Sequence, residues 1–217
     1  MKKLFISVLV AALSISYEIE AQTIQNKKKI TFSAPTNRKR IPQQISSSMS
    51  RGCQRNLPKV TLLTPPEFVG TTTSKQTEVF IYFQEKPTNS PIYLTLSKFD
   101  ESQAIIEKQV EIAQEGVTKI QLPIELEVDQ IYQWSITLVC QSHPKRIDEN
   151  EEVSGLIERV DLPPVLSRKI NQASTWEQAN LYASQGIWHE SLKFTQNTPQ
   201  FNELLKQVGI KIEKRQI

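Results

Sequence analysis

Histidine and cysteine are scarce in this chain, at two of each in 217 residues, and glycine is scarce too, at six. The sequence holds no glycine-rich phosphate loop, no zinc-ligand spacing and no Gly-x-Ser-x-Gly turn. Those absences remove the usual signatures of nucleotide, zinc and serine-hydrolase chemistry. Acidic residues are missing altogether between Gln22 and Asn56. The hydrophobic share of 38% is low for a globular chain. Length and composition together suit one domain plus extensions.

The first 21 residues have the layout of a secretory signal. Lys2 and Lys3 precede an apolar run from Leu4 to Tyr17, and a short polar stretch ends at Ala21. The run is shorter than the ~20 residues a spanning helix needs, which argues against an uncleaved anchor. Cleavage is expected after Ala21, with Ile19 larger than the residue usually preferred there. The expected location is therefore secreted or periplasmic, with no spanning segment once the signal is removed.

From Gln22 to Asn56 the chain carries +8, from residues that include Lys27, Lys28, Lys29, Arg38, Lys39 and Arg40. In the signal, Lys2 and Lys3 balance Glu18 and Glu20. The overall +3 therefore leaves −5 on Leu57–Ile217. Residues 22–50, with Pro35, Pro42 and Ser46–Ser48, read as a basic flexible linker. It is either a solvated spacer or a tether to an anionic envelope polymer. A nucleic-acid partner is not expected, because no recognition motif accompanies the charge.

Cys53 and Cys140 form an even pair in a chain expected to be exported, which favours a disulfide. Such a bridge would close a long loop, a contribution of ~4 kcal/mol on the chain-entropy account. The alternative is a thiol nucleophile, with His143 three residues after Cys140.

Residues 51–162 read as a β-sandwich domain of about seven short strands. The candidates are 60–63, 78–83, 92–98, 105–112, 117–122, 131–140 and 153–160. Tyr132, Trp134, Ile136 and Leu138 alternate with polar residues and are the expected core anchors. Val79, Ile81 and Phe83 face one way and Phe80 and Tyr82 the other, so that strand suits burial on both faces. Turn signals separate the runs and no helical crossovers join them. The expected fold is therefore mainly β with an α tail: an antiparallel, immunoglobulin-like sandwich. The acidic run Asp148, Glu149, Glu151 and Glu152 lacks the spacing and glycine of a calcium loop, so no metal site is expected.

Residues 163–217 read as a helical extension packed on the sandwich. Thr175 is the expected cap of a first helix, Gly186 breaks it, and further helices run to about Thr198 and Val208. Gly186, Trp188 and Ser191 resemble the turn of a single tetratricopeptide unit, with Ser where Ala is usual. One such unit needs a neighbour to bury its faces, so Tyr182, Trp188 and His189 are candidates for an interaction surface.

Several of these segments occur together in a familiar order. They are Arg51-Gly52-Cys53, Ile131-Tyr132-Gln133-Trp134-Ser135-Ile136, Cys140, and Val153 through Val160. Leu181-Tyr182-Ala183, Gly186-Ile187-Trp188, Leu204-Leu205 and Val208-Gly209-Ile210 follow. In that order the chain after Ser50 resembles the cyanobacterial family called domain of unknown function 928. Asp129, where that family suggests Gly, and Ser191 depart from the pattern. The resemblance implies an exported cyanobacterial protein and brings no assigned activity and no catalytic residues.

The expected role is thus a non-catalytic interaction module of the periplasm or cell exterior, with a protein partner in the envelope and no cofactor. An envelope-glycan or carbohydrate-binding module is the alternative, with Tyr82, Tyr93 and Trp188 as its aromatic candidates. A hydrolase with paired carboxylates is a further one, drawing on Glu78, Glu85, Glu125 or Glu127.

Overall fold

The computed structural model describes residues 29–35, 57–88, 90–140 and 150–212. The chain divides into two units, Met1–Ile30 and Thr31–Ile217. Of the first, only Lys29 and Ile30 are described. The signal segment and its cleavage site lie outside the described residues. All elements below belong to the second unit.

Among the described residues, eight strands precede four helices. The strands are β1 (Val60–Leu62), β2 (Gly70–Thr72), β3 (Glu78–Phe83), β4 (Ile92–Lys98), β5 (Ala104–Val110), β6 (Gly116–Gln121), β7 (Ile131–Leu138) and β8 (Glu151–Arg159). They form a three-stranded sheet of order β1-β3-β6 and a five-stranded sheet of order β2-β8-β7-β4-β5. Both sheets feed one core. Val79, Ile81 and Phe83 of β3 join Leu94 and Leu96 of β4, Val153 and Ile157 of β8, and Tyr132, Trp134, Ile136 and Leu138 of β7. The last four are at most 1% exposed, as their period-two alternation demands once one face of β7 is covered.

β3 is buried on both sides. Its other face presents Phe80, 1% exposed, whose ring meets Phe201 of the helical layer at 6.2 Å. The five consecutive apolar or aromatic residues Val79 to Phe83 place large side chains on both faces, which suits a strand between two layers. β5 is the mostly exposed edge of its sheet, and Glu107 and Lys108 suit that place.

One sheet pair departs from the expected antiparallel pattern. β2 runs parallel to β8, with Gly70 opposite Ile157 and Thr72 opposite Arg159. A parallel pair needs a long crossover, and helices had been the only expected source of one. Here strands β3 to β7 lie between the two in the chain, with β3 and β6 in the other sheet and β4, β5 and β7 in the same one. β2 itself escapes the sequence pattern because Gly-Thr-Thr has no alternation.

The helices are α1 (Pro164–Gln172), α2 (Thr175–Ser184), α3 (Trp188–Thr195) and α4 (Pro199–Gln207). α1 lies where only a proline boundary was expected. Pro164 starts it at a position where a missing N–H costs nothing. The cap of α2 is Ser174, one residue before the expected Thr175. Its hydroxyl accepts from Glu177 N, and Glu177 Oε2 accepts from Ser174 N at 2.9 Å. Gly186 ends α2 with φ +70° and Gly209 follows α4 with φ +79°. Asp129 also has a left-handed backbone, φ +60°, which accounts for an expectation of glycine there. No helix among the described residues is long and apolar enough to cross a membrane.

Thr64 lies tight against two strands. A Cβ at Gly155 of β8 would fall 2.7 Å from Thr64 Cγ2 and 3.3 Å from Trp134 Nε1. Gly155→Ala is expected to destabilise by about 2 kcal/mol through overpacking. Thr64→Ser removes the offending methyl, so the double variant should recover most of that loss. Equal and additive losses in urea unfolding would disprove the contact as the cause.

Candidate functional site

The first turn of α3 is sunk into the β connections. Ile187, Trp188, His189, Glu190, Ser191 and Leu192 are all at most 7% exposed. The Trp188 indole Nε1 donates to Leu63 O at 2.8 Å, and Thr71 Oγ1 donates to Gly186 O at 2.6 Å. Glu190 Oε1 is the focus of the polar contacts. It accepts from Thr72 Oγ1 at 2.8 Å, Thr73 N at 3.0 Å, Thr73 Oγ1 at 3.2 Å and Ser74 N at 3.0 Å. A carboxylate near a helix N-terminus is favoured by the helix dipole, and this one also binds the β2–β3 connection.

Several polar atoms at this joint have no hydrogen-bond partner. They are Glu190 Oε2, both ring nitrogens of His189, Thr64 Oγ1 and Trp134 Nε1, all shielded from solvent. The His189 ring lies over Gly70, where a Cβ would sit 3.0 Å from Nε2 and 2.8 Å from Thr64 Oγ1. Gly70 is thus a close-approach glycine. Burial pushes the His189 imidazole down to about 4. The Glu78 backbone acts the other way, without the geometry of a full hydrogen bond. Burial pushes the Glu190 carboxyl up, against the pull of its Thr72, Thr73 and Ser74 donors.

Beside this joint lies a pocket of about 280 Å3 whose lining includes Ser74, Glu78, Tyr182, His189, Glu190 and Lys193. Glu78 is clamped by Lys119 Nζ at 2.8 Å and Lys193 Nζ at 3.0 Å. Burial raises its carboxyl, but the two ammonium groups outweigh burial and hold it below the ordinary value. Tyr182 stacks on Phe194 at 5.6 Å and 9°. Burial, then the Glu190 charge, push its phenol up.

The structure corrects part of the expected interaction surface. Tyr182 is half-buried, whereas Trp188 is 0% and His189 2% exposed, so neither of the latter two faces a partner. The α2–α3 turn presses that end of α3 inward, against β2 and β3. Cys140 is fully buried, and its expected partner Cys53 lies outside the described residues. So do Lys27, Lys28, Arg38, Lys39 and Arg40, while Lys29 is exposed. Among the described residues no group of three or more His, Cys, Asp or Glu could hold a metal ion. Sequence reasoning passed over Glu190 and the hydroxyl run Thr71-Thr72-Thr73-Ser74. That run of short hydroxyl side chains was the available signal, but its partner lies more than 110 residues away.

Glu190→Ala removes the acceptor of the Thr72 hydroxyl and the Thr73 amide and leaves Ser74 N only Thr72 Oγ1, at 3.1 Å, so a loss of about 3 kcal/mol is expected. That is a Tm drop of roughly 6–12 °C for a domain of this size. Glu190→Gln keeps the acceptor and should lose less than half as much. For His189 the folded-state value lies below the ordinary 6.5, so protonation favours the unfolded chain. Its contribution is complete above pH 6.5 and is lost as pH falls towards 4, on the order of 3 kcal/mol. Urea unfolding at pH 7 and pH 4 should show His189→Gln losing less stability on acidification than the parent chain. Identical losses would refute the role of His189.

No curated protein matches this chain. Among solved structures, an engineered protein matches at 9% identity and TM-score 0.33, covering 48% of this chain and 20% of its own. A family 76 glycoside hydrolase from a bovine Bacteroides thetaiotaomicron strain matches at 14% identity and TM-score 0.30, covering 56% of this chain and 23% of its own. The chain thus spans under a quarter of either structure, and likeness this low carries no argument. The family model described as Domain of Unknown Function (DUF928) matches residues 46–215. With two sheets, one shared core and a helical layer now described over most of that span, the chain belongs to this family.

Proposed function

We propose that the chain is an exported, non-catalytic interaction module that binds a protein partner of the cell envelope. One observation carries the reading. An open cavity of about 1170 Å3 beside α4 and the start of β6 is lined by Tyr82, Val117, Phe201, Leu205, Ile210 and Ile212. Amides of Gln196, Asn197 and Asn202 and the Lys206 and Lys211 side chains also line it, and none of its described lining residues carries a carboxylate, imidazole or thiol. Such a lining, apolar side chains with a few amides and ammonium groups, suits recognition of a partner. The ionisable groups of the α3 joint are meanwhile engaged internally or shut off from solvent.

Within this reading the two sheets form an immunoglobulin-like sandwich. α2 and α3 act as a lone tetratricopeptide-like hairpin, which the Gly186 turn and buried Trp188 support. Cys53 pairs with Cys140. The basic segment after the signal tethers the domain to an anionic envelope polymer.

Two other readings have specific support. Tyr82 and the three amides suit a glycan in the same cavity. A hydrolase would use Glu78 and Glu190, which line one pocket with their acidities pushed in opposite directions. Against it, Glu190 Oε1 is saturated with donors and Glu78 with cations.

Val117→Arg places a charge at the mouth of the large cavity without touching the shared core. Affinity capture from envelope extracts should recover a protein with the parent chain that this variant loses at unchanged Tm. The same capture by both chains would sink the assignment of the cavity. Glycan-array binding by the parent alone would transfer the cavity to the carbohydrate reading.

A further inference from the structure

A short segment ahead of the domain sits on the helical layer as a peptide would. Thr31–Pro35 belongs to the stretch expected to be linker, yet it is docked. Phe32 stacks on Phe68 at 5.8 Å and 10° and meets Trp188 edge-on at 5.0 Å and 87°. Its backbone N donates to Gln207 Oε1 at 2.8 Å, and Ser33 N donates to Ala183 O at 2.9 Å. A Cβ at Gly186 would lie 2.7 Å from Ser33 O and 3.2 Å from the Pro35 ring, so the seat exists only because residue 186 is glycine. Ser33 and Ala34 are exposed, while Phe32 and Pro35 are half-buried.

We propose that this cleft, between Phe68, the α2–α3 turn and α4, is a recognition site for an extended aromatic-x-x-Pro segment. The chain fills it in cis with Phe32-Ser33-Ala34-Pro35, and the same segment of a second copy fits it in trans. The chemistry follows from the contacts. The aromatic slot and the proline seat read side chains three positions apart. The two hydrogen bonds read only main chain, and the two residues between are not read. This is the division of labour of peptide-recognition grooves, in which main-chain bonds give affinity and spaced pockets give specificity.

The segment is joined to Leu57 by the 21 residues 36–56. Segment and cleft belong to one chain, so cis binding is intramolecular, and an unlinked copy of the segment has to compete with that effective concentration. Cis occupancy therefore masks the cleft from a weak ligand in trans. The proposal does not depend on what occupies the large cavity.

The probe is the synthetic peptide of residues 29–35, titrated against the full chain and followed by tryptophan fluorescence and calorimetry. Phe32→Ala in the chain should expose the cleft, and the peptide should bind it at least tenfold more tightly than it binds the parent chain. A peptide carrying Ala in place of Phe32 should not bind. Ser33→Pro removes the donor to Ala183 O without emptying the aromatic slot, and should unmask the cleft in the same direction. Absence of saturable binding to either folded variant would overturn the proposal. So would equal binding to the parent chain, or failure of both variants to fold, which would make the segment an integral part of the domain.

Discussion

The helical layer depends on how the first turn of α3 is held. A helix start exposes backbone donors, and burying one is costly unless every polar group nearby is matched. Here two connections and one strand of the β body match the indole, carbonyl and carboxylate groups buried with that turn. Leu63 O receives the Trp188 indole, Thr71 donates to Gly186 O, and Thr72 to Ser74 surround Glu190 Oε1. Five consecutive residues, Trp188 to Leu192, are buried in one helix. An amphipathic stripe cannot do that, because neighbours on a helix point about 100° apart. The turn must therefore be surrounded, and it is, by the β1–β2 connection, β2 and the β2–β3 connection.

The placement of the ionisable groups follows from that embedding. His189 becomes an interior imidazole over Gly70 instead of a surface group. Glu190 becomes a structural acceptor with one saturated and one shielded oxygen. Glu78, at the start of β3, meets Lys193 from the far end of α3 and Lys119 from β6, so its charge also serves the contact between layers. The same embedding directs the other face of Trp188 towards Phe32, and so creates the cleft that the Thr31–Pro35 segment fills.

Much of the β body was legible. The bounds of β3 and β4 coincide with their hydrophobic runs, and Tyr132, Trp134, Ile136 and Leu138 share a face of β7 that is buried. Gly186 and Gly209 mark helix ends because the left-handed backbone they adopt is open to glycine and costly for most other residues. What escaped was set by contacts distant in sequence. Gly70–Thr72 is a strand only because β8 lies alongside it and α3 above it. α1 begins at Pro164, where two prolines read as a stop though the second is a permitted helix start. Trp188 and His189 looked like a hairpin face in want of a partner, and the partner proved to be the chain's own β connections.

The sequence by itself determined the local alphabet of this protein: which runs are strands, where helices end, which face of β7 is apolar, and that the charge is divided between a basic lead and an acidic body. Periodicity, turn chemistry and composition act within a few residues, so they can be read without a partner in view. Only the tertiary structure decided that β2 runs parallel to β8, that Glu190 holds the β2–β3 connection, that His189 is sealed, and that Phe32 docks on Trp188. Each of these joins residues more than 80 positions apart. Polar and aromatic side chains carry no mark of their eventual partner until the fold brings that partner within hydrogen-bond or van der Waals reach.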